Sequence, residues 1–372
     1  MQPAEGLNVA GDNRFRNLVL GVALAIMIGW VLYIGRAILI PVIASVIVAY
    51  ILVTLARRMA QVPVIGPVAP AWSRYLVSVA IVLFILLQLI ALIASNVERV
   101  VAQAPVYQQT LLAFIGDLAV RFGVEAEPTW ESLWNQVLGQ INLQSLIGTT
   151  VASVSSLVGN VFVVLVYAGF LLAERSQFER KLRMLSSDKA DTRRILAIIS
   201  AINTKVGDYL ALKTLVNLIL GVISWSIMAL IGIDLAAFWA VLIALFNYIP
   251  YVGSFIAVVF PVALTIVQFG DFGIIFMALI GLTAAQMFIG NFLEPRLMGK
   301  SLNLSPFVIL VALTIWYALW GVAGALLAVP ITAIVMIIFA QFEATRPIAI
   351  LLSSEGQISE LEGHGVGNDG LD

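Results

Sequence analysis

The sequence predicts an all-α, polytopic integral membrane protein with about eight transmembrane helices and broken or re-entrant segments. Two observations carry that prediction. Hydrophobic residues make up 61% of the 372-residue chain and charged residues only 11%, with a mean hydropathy of +1.04, whereas a soluble domain carries roughly 25% charged residues. The few charges are also segregated, leaving long windows without Asp, Glu, Lys or Arg. A helix of roughly 20 apolar residues is enough to cross the hydrocarbon core of a bilayer.

The elements follow in order. Residues 1–17 form a polar N-terminal tract. Charge-free windows at Asn17–Gly35, Ala37–Ala56 and Tyr75–Val97 predict spans 1–3 over residues 18–95. The first of these is full span length and is followed by more, so it reads as a span rather than a cleavable signal. The window Ser132–Ala173 is polar up to about Ser145, which places span 4 at 146–173. Residues 96–145 carry Arg99 and Arg121 against Glu98, Asp117, Glu125, Glu127 and Glu131, whereas 174–213 are dense in Lys and Arg. The positive-inside rule therefore puts the N-terminus and 174–213 in the cytoplasm and 96–145 outside. Both regions read as helical: Leu111, Leu112, Ile115 and Leu118 in one, and Ile195, Ile198, Ile202, Val206 and Leu210 in the other, recur at helical spacing.

Spans 5–8 are expected over 214–342. Its windows Thr214–Ile233 and Phe272–Leu293 are one span long, but Leu235–Gly270 and Ser301–Phe342 are nearly twice that. The segment 235–270 fits two short spans or a re-entrant hairpin turning at Tyr248–Gly253, where Pro250 removes a backbone donor and Gly253 permits a tight turn. Ser301–Phe342 poses the same choice around Trp320–Gly324, against one long tilted helix. The halves share a four-and-four layout, so an inverted repeat is a further expectation. Residues 343–372 read as a cytoplasmic tail, disordered where it is Gly-rich and acidic.

The residue types exclude several chemistries. Cysteine is absent and the single histidine, His364, lies in the tail. Disulfides, thiolate catalysis and a histidine-based metal site among the spans are thereby ruled out. Met298–Ser301 resembles the end of a phosphate-binding loop, but Glu294 stands where its first glycine belongs. No enzyme, no cofactor, no metal and no nucleic-acid partner are expected. The expected partners are the lipid bilayer, a small-molecule or ion substrate, and further copies of the chain.

Tyr209–Val216, Gly232-Ile233-Asp234, Trp239, the run Asn247-Tyr248-Ile249-Pro250-Tyr251-Val252-Gly253, Asn291–Leu302, Ser305-Pro306, Trp320-Gly321, Gly324 and Val329-Pro330 follow one another in a characteristic order. In that order the chain, from Leu18 to about Ala340, resembles the autoinducer-2 exporter family of bacterial permease-like inner-membrane proteins. It departs at Ser305, where a histidine is frequent, and at Tyr317-Ala318, where glycine often occurs. The resemblance implies an eight-span fold, homo-oligomeric assembly and secondary export of small molecules such as autoinducer-2, and a pentameric ring is the expected oligomer. Sodium or lithium/proton exchange is the alternative within the family, and a non-transporting scaffold the alternative outside it.

The candidate substrate path or gate comprises Asn247, Tyr248, Pro250, Gly253, Asn291, Glu294, Pro295 and Arg296. Asn247–Gly253 reads as an unwound, path-lining segment or as a packing kink. Glu294 and Arg296 read as a gate or as interfacial residues whose partners lie elsewhere, with Pro295 stopping the helix. Asp234, Asp271 and Glu294 are the ion-coupling candidates, because a carboxylate at membrane depth is costly unless it is used. Asp234 also reads as a cap for a helix beginning at Leu235, and Lys213 as a cytoplasmic anchor.

Overall fold

The computed structural model describes residues 6–61, 70–121, 159–174, 189–299 and 302–356, with isolated helical positions between 177 and 184. The expected outer region beyond Arg121, the first part of span 4, most of 175–188, Lys300, Ser301 and the tail from 357 lie outside those residues. Among the described residues the regular elements are helices, and the one β contact is an isolated bridge between Leu304 and Ser353. The all-α, polytopic membrane fold is as the composition requires.

α1 (Gly6–Ile34) joins α2 (Arg36–Ala60) through Gly35 alone. The bend there frees the carbonyl of Leu32, which the indole N–H of Trp320 satisfies at 2.9 Å. α3 runs unbroken from Ala71 to Arg121, and α4 spans Gly159–Glu174. Only Trp72–Leu92 of α3 is apolar enough to cross a membrane. The remainder projects about 40 Å further at the usual helical rise, so the amphipathic helix expected near 101–122 is an extension of span 3. α5 (Lys189–Ile231) likewise fuses the expected basic helix to span 5.

The first double-length window folds as a hairpin. α6 (Ala236–Phe246) and α7 (Val252–Phe269) flank a turn at Asn247–Tyr251. Gln268 closes its base, accepting the Asp234 N–H at 2.8 Å and donating to the Gly232 carbonyl at 2.8 Å. The chain therefore returns to the end from which it set out. α6 is about 16 Å long, roughly half the thickness it would need to cross.

α8 (Phe272–Met298) follows. Asp271 caps it, its Oδ1 accepting the Ile274 N–H at 3.0 Å. Asp271→Ala is expected to lower stability by about 1 kcal/mol, read as a small fall in thermal unfolding temperature in detergent with transport unchanged.

The second double-length window, α9 (Pro306–Ala340), also doubles back. Gly321 takes φ 62°, ψ −142°, outside the helical region. Trp316 Nε1 donates to Thr332 Oγ1 at 3.2 Å, although an unbroken helix would hold those residues about 24 Å apart. Residues 306–320 and 322–340 are thus the two legs of a second hairpin, not one tilted helix. Its base is closed by Ser305 N–H to Leu352 O and Ser354 N–H to Asn303 O, both 3.0 Å, with α10 (Arg346–Leu352) folded beneath.

The hairpins approach from opposite ends of α5. The base of the first meets its Ile231 end, and its tip lies beside Thr214 and Asn217. The base of the second packs Leu302, Leu304 and Ala349 in one core with Ile202, Val206 and Leu210. Midway, Ile249 of the first tip packs with Leu313, Ala325 and Ala328 of the second hairpin. The repeated plan visible here lies within the second half of the chain.

Candidate functional site

A cavity of about 700 Å³ opens where the first hairpin's tip, α5, α8 and the base of the second hairpin converge. α5 contributes Tyr209 and Lys213, and the tip contributes Asn247, Pro250, Tyr251 and Ser254. α8 adds Gln286, Gly290, Asn291, Glu294 and Pro295, while Asn303 and Ser354 close the remaining side.

An ion pair joins α5 to α8: Lys213 Nζ lies 2.6 Å from Glu294 Oε1. The Lys213 side chain is 5% exposed and that of Glu294 26%. A lone charge held this deep costs several kcal/mol, so each ion makes the other tolerable. Lys213 is therefore a wall of the site and not the anchor that its position at the edge of a charge-free window suggests.

The geometry of α8 aims the carboxylate. Residues Ile289–Leu293 form a π-helical turn, and the Glu294 N–H reaches back five residues to the Ile289 carbonyl. A π turn accommodates one residue more than an α turn. The helix consequently continues through Pro295 to Met298 and ends at Gly299, where φ is 50°. Pro295 does not stop the helix, because the widened turn absorbs its missing N–H.

An amide chain crosses the cavity wall beside the ion pair. Asn247 Nδ2 donates to Asn217 Oδ1 at 2.8 Å, and Asn247 Oδ1 accepts from Gln286 Nε2 at 3.1 Å and Ser254 Oγ at 3.3 Å. Asn247 is 5% exposed and Asn217 2%. Tyr248 turns away from the cavity, its hydroxyl 2.6 Å from that of Thr214.

The expected residues thus separate into three groups. Asn247, Pro250, Asn291, Glu294 and Pro295 line one cavity. Tyr248 and Gly253 shape the hairpin tip, and Arg296 is exposed on the short helical segment after the π turn. Asp234 and Asp271 lie at the other end of the first hairpin. Asp234 does not cap α6: Leu235 occupies the N-cap position with φ 58°, which turns residue 234 away from the helix start. Its carboxylate instead accepts the Tyr107 hydroxyl at 2.9 Å. Burial, then that hydrogen bond and the carboxylate's charge, hold the Tyr107 hydroxyl well above its usual range, so it stays neutral.

Asn217, Ser254 and Gln286 are site residues that the sequence does not single out, and Lys213 is one that it presents as an anchor. One signal was available for α5. Tyr209, Lys213, Asn217 and Gly221 are spaced by four, which places them on one helix face. Gly221 lets α6 approach closely, since a side chain there would lie 3.3 Å from the Ala240 carbonyl oxygen.

A helical membrane protein with a cavity that holds an ion pair and an amide chain between opposed broken hairpins has the architecture of a membrane transporter. Comparison with known proteins makes that specific. The profile described as AI-2E family transporter matches residues 22–344, and the chain belongs to that family. It is 29% identical over 345 residues to the AI-2 transport protein TqsA of Escherichia coli, covering 90% of this chain and 96% of that one. It is also 32% identical over 267 residues to a provisionally named transport protein of Borreliella burgdorferi, covering 72% of each. The chain is thus a multi-pass membrane transporter.

Proposed function

We propose that the protein is a secondary exporter carrying a small polar solute, such as the autoinducer-2 named for its Escherichia coli relative, out across a bacterial inner membrane. The observation that supports this reading is the cavity: amides, hydroxyls and a neutralised ion pair are set among apolar side chains such as Met287, Met298 and Leu302, which suits a small uncharged solute that both donates and accepts hydrogen bonds. The basic end of α5 is cytoplasmic on the positive-inside reading, as is the N-terminus. The cavity lies nearer that end, which fits loading from the side from which export begins. Alternating access would move the tip at Asn247–Tyr251 against the α8 segment around Glu294. Several copies assemble in the membrane, a pentameric ring being the preferred form. The chain performs no catalysis.

The Lys213–Glu294 pair favours a second reading, sodium or lithium/proton exchange, because a carboxylate beside a cavity can trade its lysine for a cation or proton. Flux into vesicles containing purified protein separates the two. Glu294→Gln is expected to slow autoinducer-2 movement at least tenfold at every pH if the pair is a gate. If the pair couples ions, the same change removes only a pH-dependent sodium flux, and autoinducer-2 never moves in the parent protein.

A further inference from the structure

Asn217 stands one layer behind the cavity wall, on the same face of α5 as Lys213, yet it touches the amide at the centre of that wall. Its Nδ2 is buried and has no hydrogen-bond partner. A buried unpaired donor ordinarily costs about 1–3 kcal/mol, so its presence at this junction calls for a reason.

The reason lies in the symmetry of an amide. A terminal carboxamide has an acceptor and a donor of nearly equal size. In the arrangement described, Gln286 donates to Asn247 and Asn247 donates to Asn217, which leaves the Gln286 oxygen for the cavity. Rotating all three amides by half a turn preserves every contact and reverses every donor. Asn217 Nδ2 then donates to Asn247 Oδ1, and Asn247 Nδ2 donates to Gln286 Oε1. Ser254 Oγ accepts where it formerly donated. The buried donor is satisfied, a less demanding carbonyl is left over instead, and Gln286 now shows the cavity its N–H₂.

We propose that Asn217 is the residue that sets the hydrogen-bonding polarity of the cavity, acting through Asn247 on Gln286. It is a positioning and specificity-determining residue. Because it serves as acceptor in one sense of the relay and as donor in the other, the cavity can meet a solute's donor with an oxygen or its acceptor with an N–H. This inference rests on the solute-binding reading of the cavity, but not on which solute is exported.

The test measures binding without requiring transport. The chain has no cysteine, and Gly290 lines the cavity with open space around it, so Gly290→Cys supplies a single maleimide target. Labelling is followed in vesicles with glycerol, which donates and accepts, and with its trimethyl ether, which only accepts. Asn217→Leu leaves Asn247 Nδ2 acceptors only on the cavity side, Gln286 Oε1 and Ser254 Oγ, which locks the N–H₂ of Gln286 toward the cavity. Protection by the ether relative to glycerol should rise about three- to tenfold, the range a single hydrogen bond spans. Asn217→Asp, an acceptor only when ionised, locks the opposite sense and should lower that ratio by a similar factor. A ratio that moves the same way in both variants, that stays at the parent value, or that cannot be measured because neither solute protects, overturns the assignment. If the ratio moves as expected while autoinducer-2 flux is absent, the export reading fails and this one stands.

Discussion

Lys213→Ala is expected to abolish transport and to cost about 3 kcal/mol of stability. The figure is the lower end of what removing one partner of a buried pair costs, because Glu294 keeps a quarter of its side-chain exposure and some hydration. The penalty arises mainly from the stranded carboxylate and not from the lost attraction. Lys213→Ala with Glu294→Ala should therefore recover most of the stability, measured as thermal unfolding in detergent, while flux in vesicles stays at background. A double variant that transports like the parent would reduce the pair to a packing device. Lys213→Arg tests geometry: the planar fork needs more room than an ammonium that approaches to 2.6 Å, so partial flux with near-normal stability is the expected result.

Gly253→Ala should be the most damaging conservative change in the first hairpin. A methyl group there would stand 1.7 Å from the Phe246 carbonyl oxygen, a backbone atom that cannot step aside. Gly324 repeats the device in the second hairpin, 1.9 Å from the Trp316 carbonyl oxygen. In each case the second leg starts directly against the end of the first, and only a missing side chain allows it. Overpacking ordinarily costs 1–3 kcal/mol, and contacts this short put both substitutions at about 3 kcal/mol or above. Gly253→Ala is expected to lose flux completely, since opening its turn displaces Asn247 from the cavity. Gly290→Ala is the control: nothing lies within 4 Å of the added methyl. If Gly253→Ala unfolds at the same temperature as Gly290→Ala, the tight hairpin described for residues 236–269 is wrong.

Much of this molecule was legible in its sequence because the bilayer imposes simple arithmetic. Windows free of charge located the helices, and the two windows of nearly double length are the two hairpins. The choice between a tilted helix and a fold-back at Gly321 was not legible, since glycine permits both and only the three-dimensional contacts decide, the Trp316–Thr332 bond among them. The cavity was half legible. Asn247, Asn291 and Glu294 stood out within their motifs, whereas Asn217 and Gln286 are equally polar residues in apolar surroundings and are joined only through Asn247, by three elements far apart in the chain. Lys213 was misread for a physical reason. A lysine at a span boundary on the cytoplasmic side is what an anchor looks like, and nothing local reveals that its partner arrives 81 residues later. The Asp234 cap failed through the left-handed backbone of Leu235, a conformation leucine rarely adopts and sequence does not signal.

The π-helical turn at Ile289–Leu293 has a consequence for comparing this chain with its relatives. Such a turn is an α-helix with one residue inserted, and each residue in a helix advances the direction of the next by about 100°. The widened turn absorbs that surplus residue, so everything after it, Glu294 first, keeps the direction it would have in a plain α-helix one residue shorter. A relative shorter by one position between Phe288 and Glu294 would keep an unbroken apolar helix and an aligned glutamate. Its carboxylate would still face the helix that carries the lysine, because the widened turn adds a residue without adding a turn. A one-residue gap at this point is therefore compatible with a matching site, whereas a relative of equal length wound as plain α-helix would turn its glutamate about 100° aside.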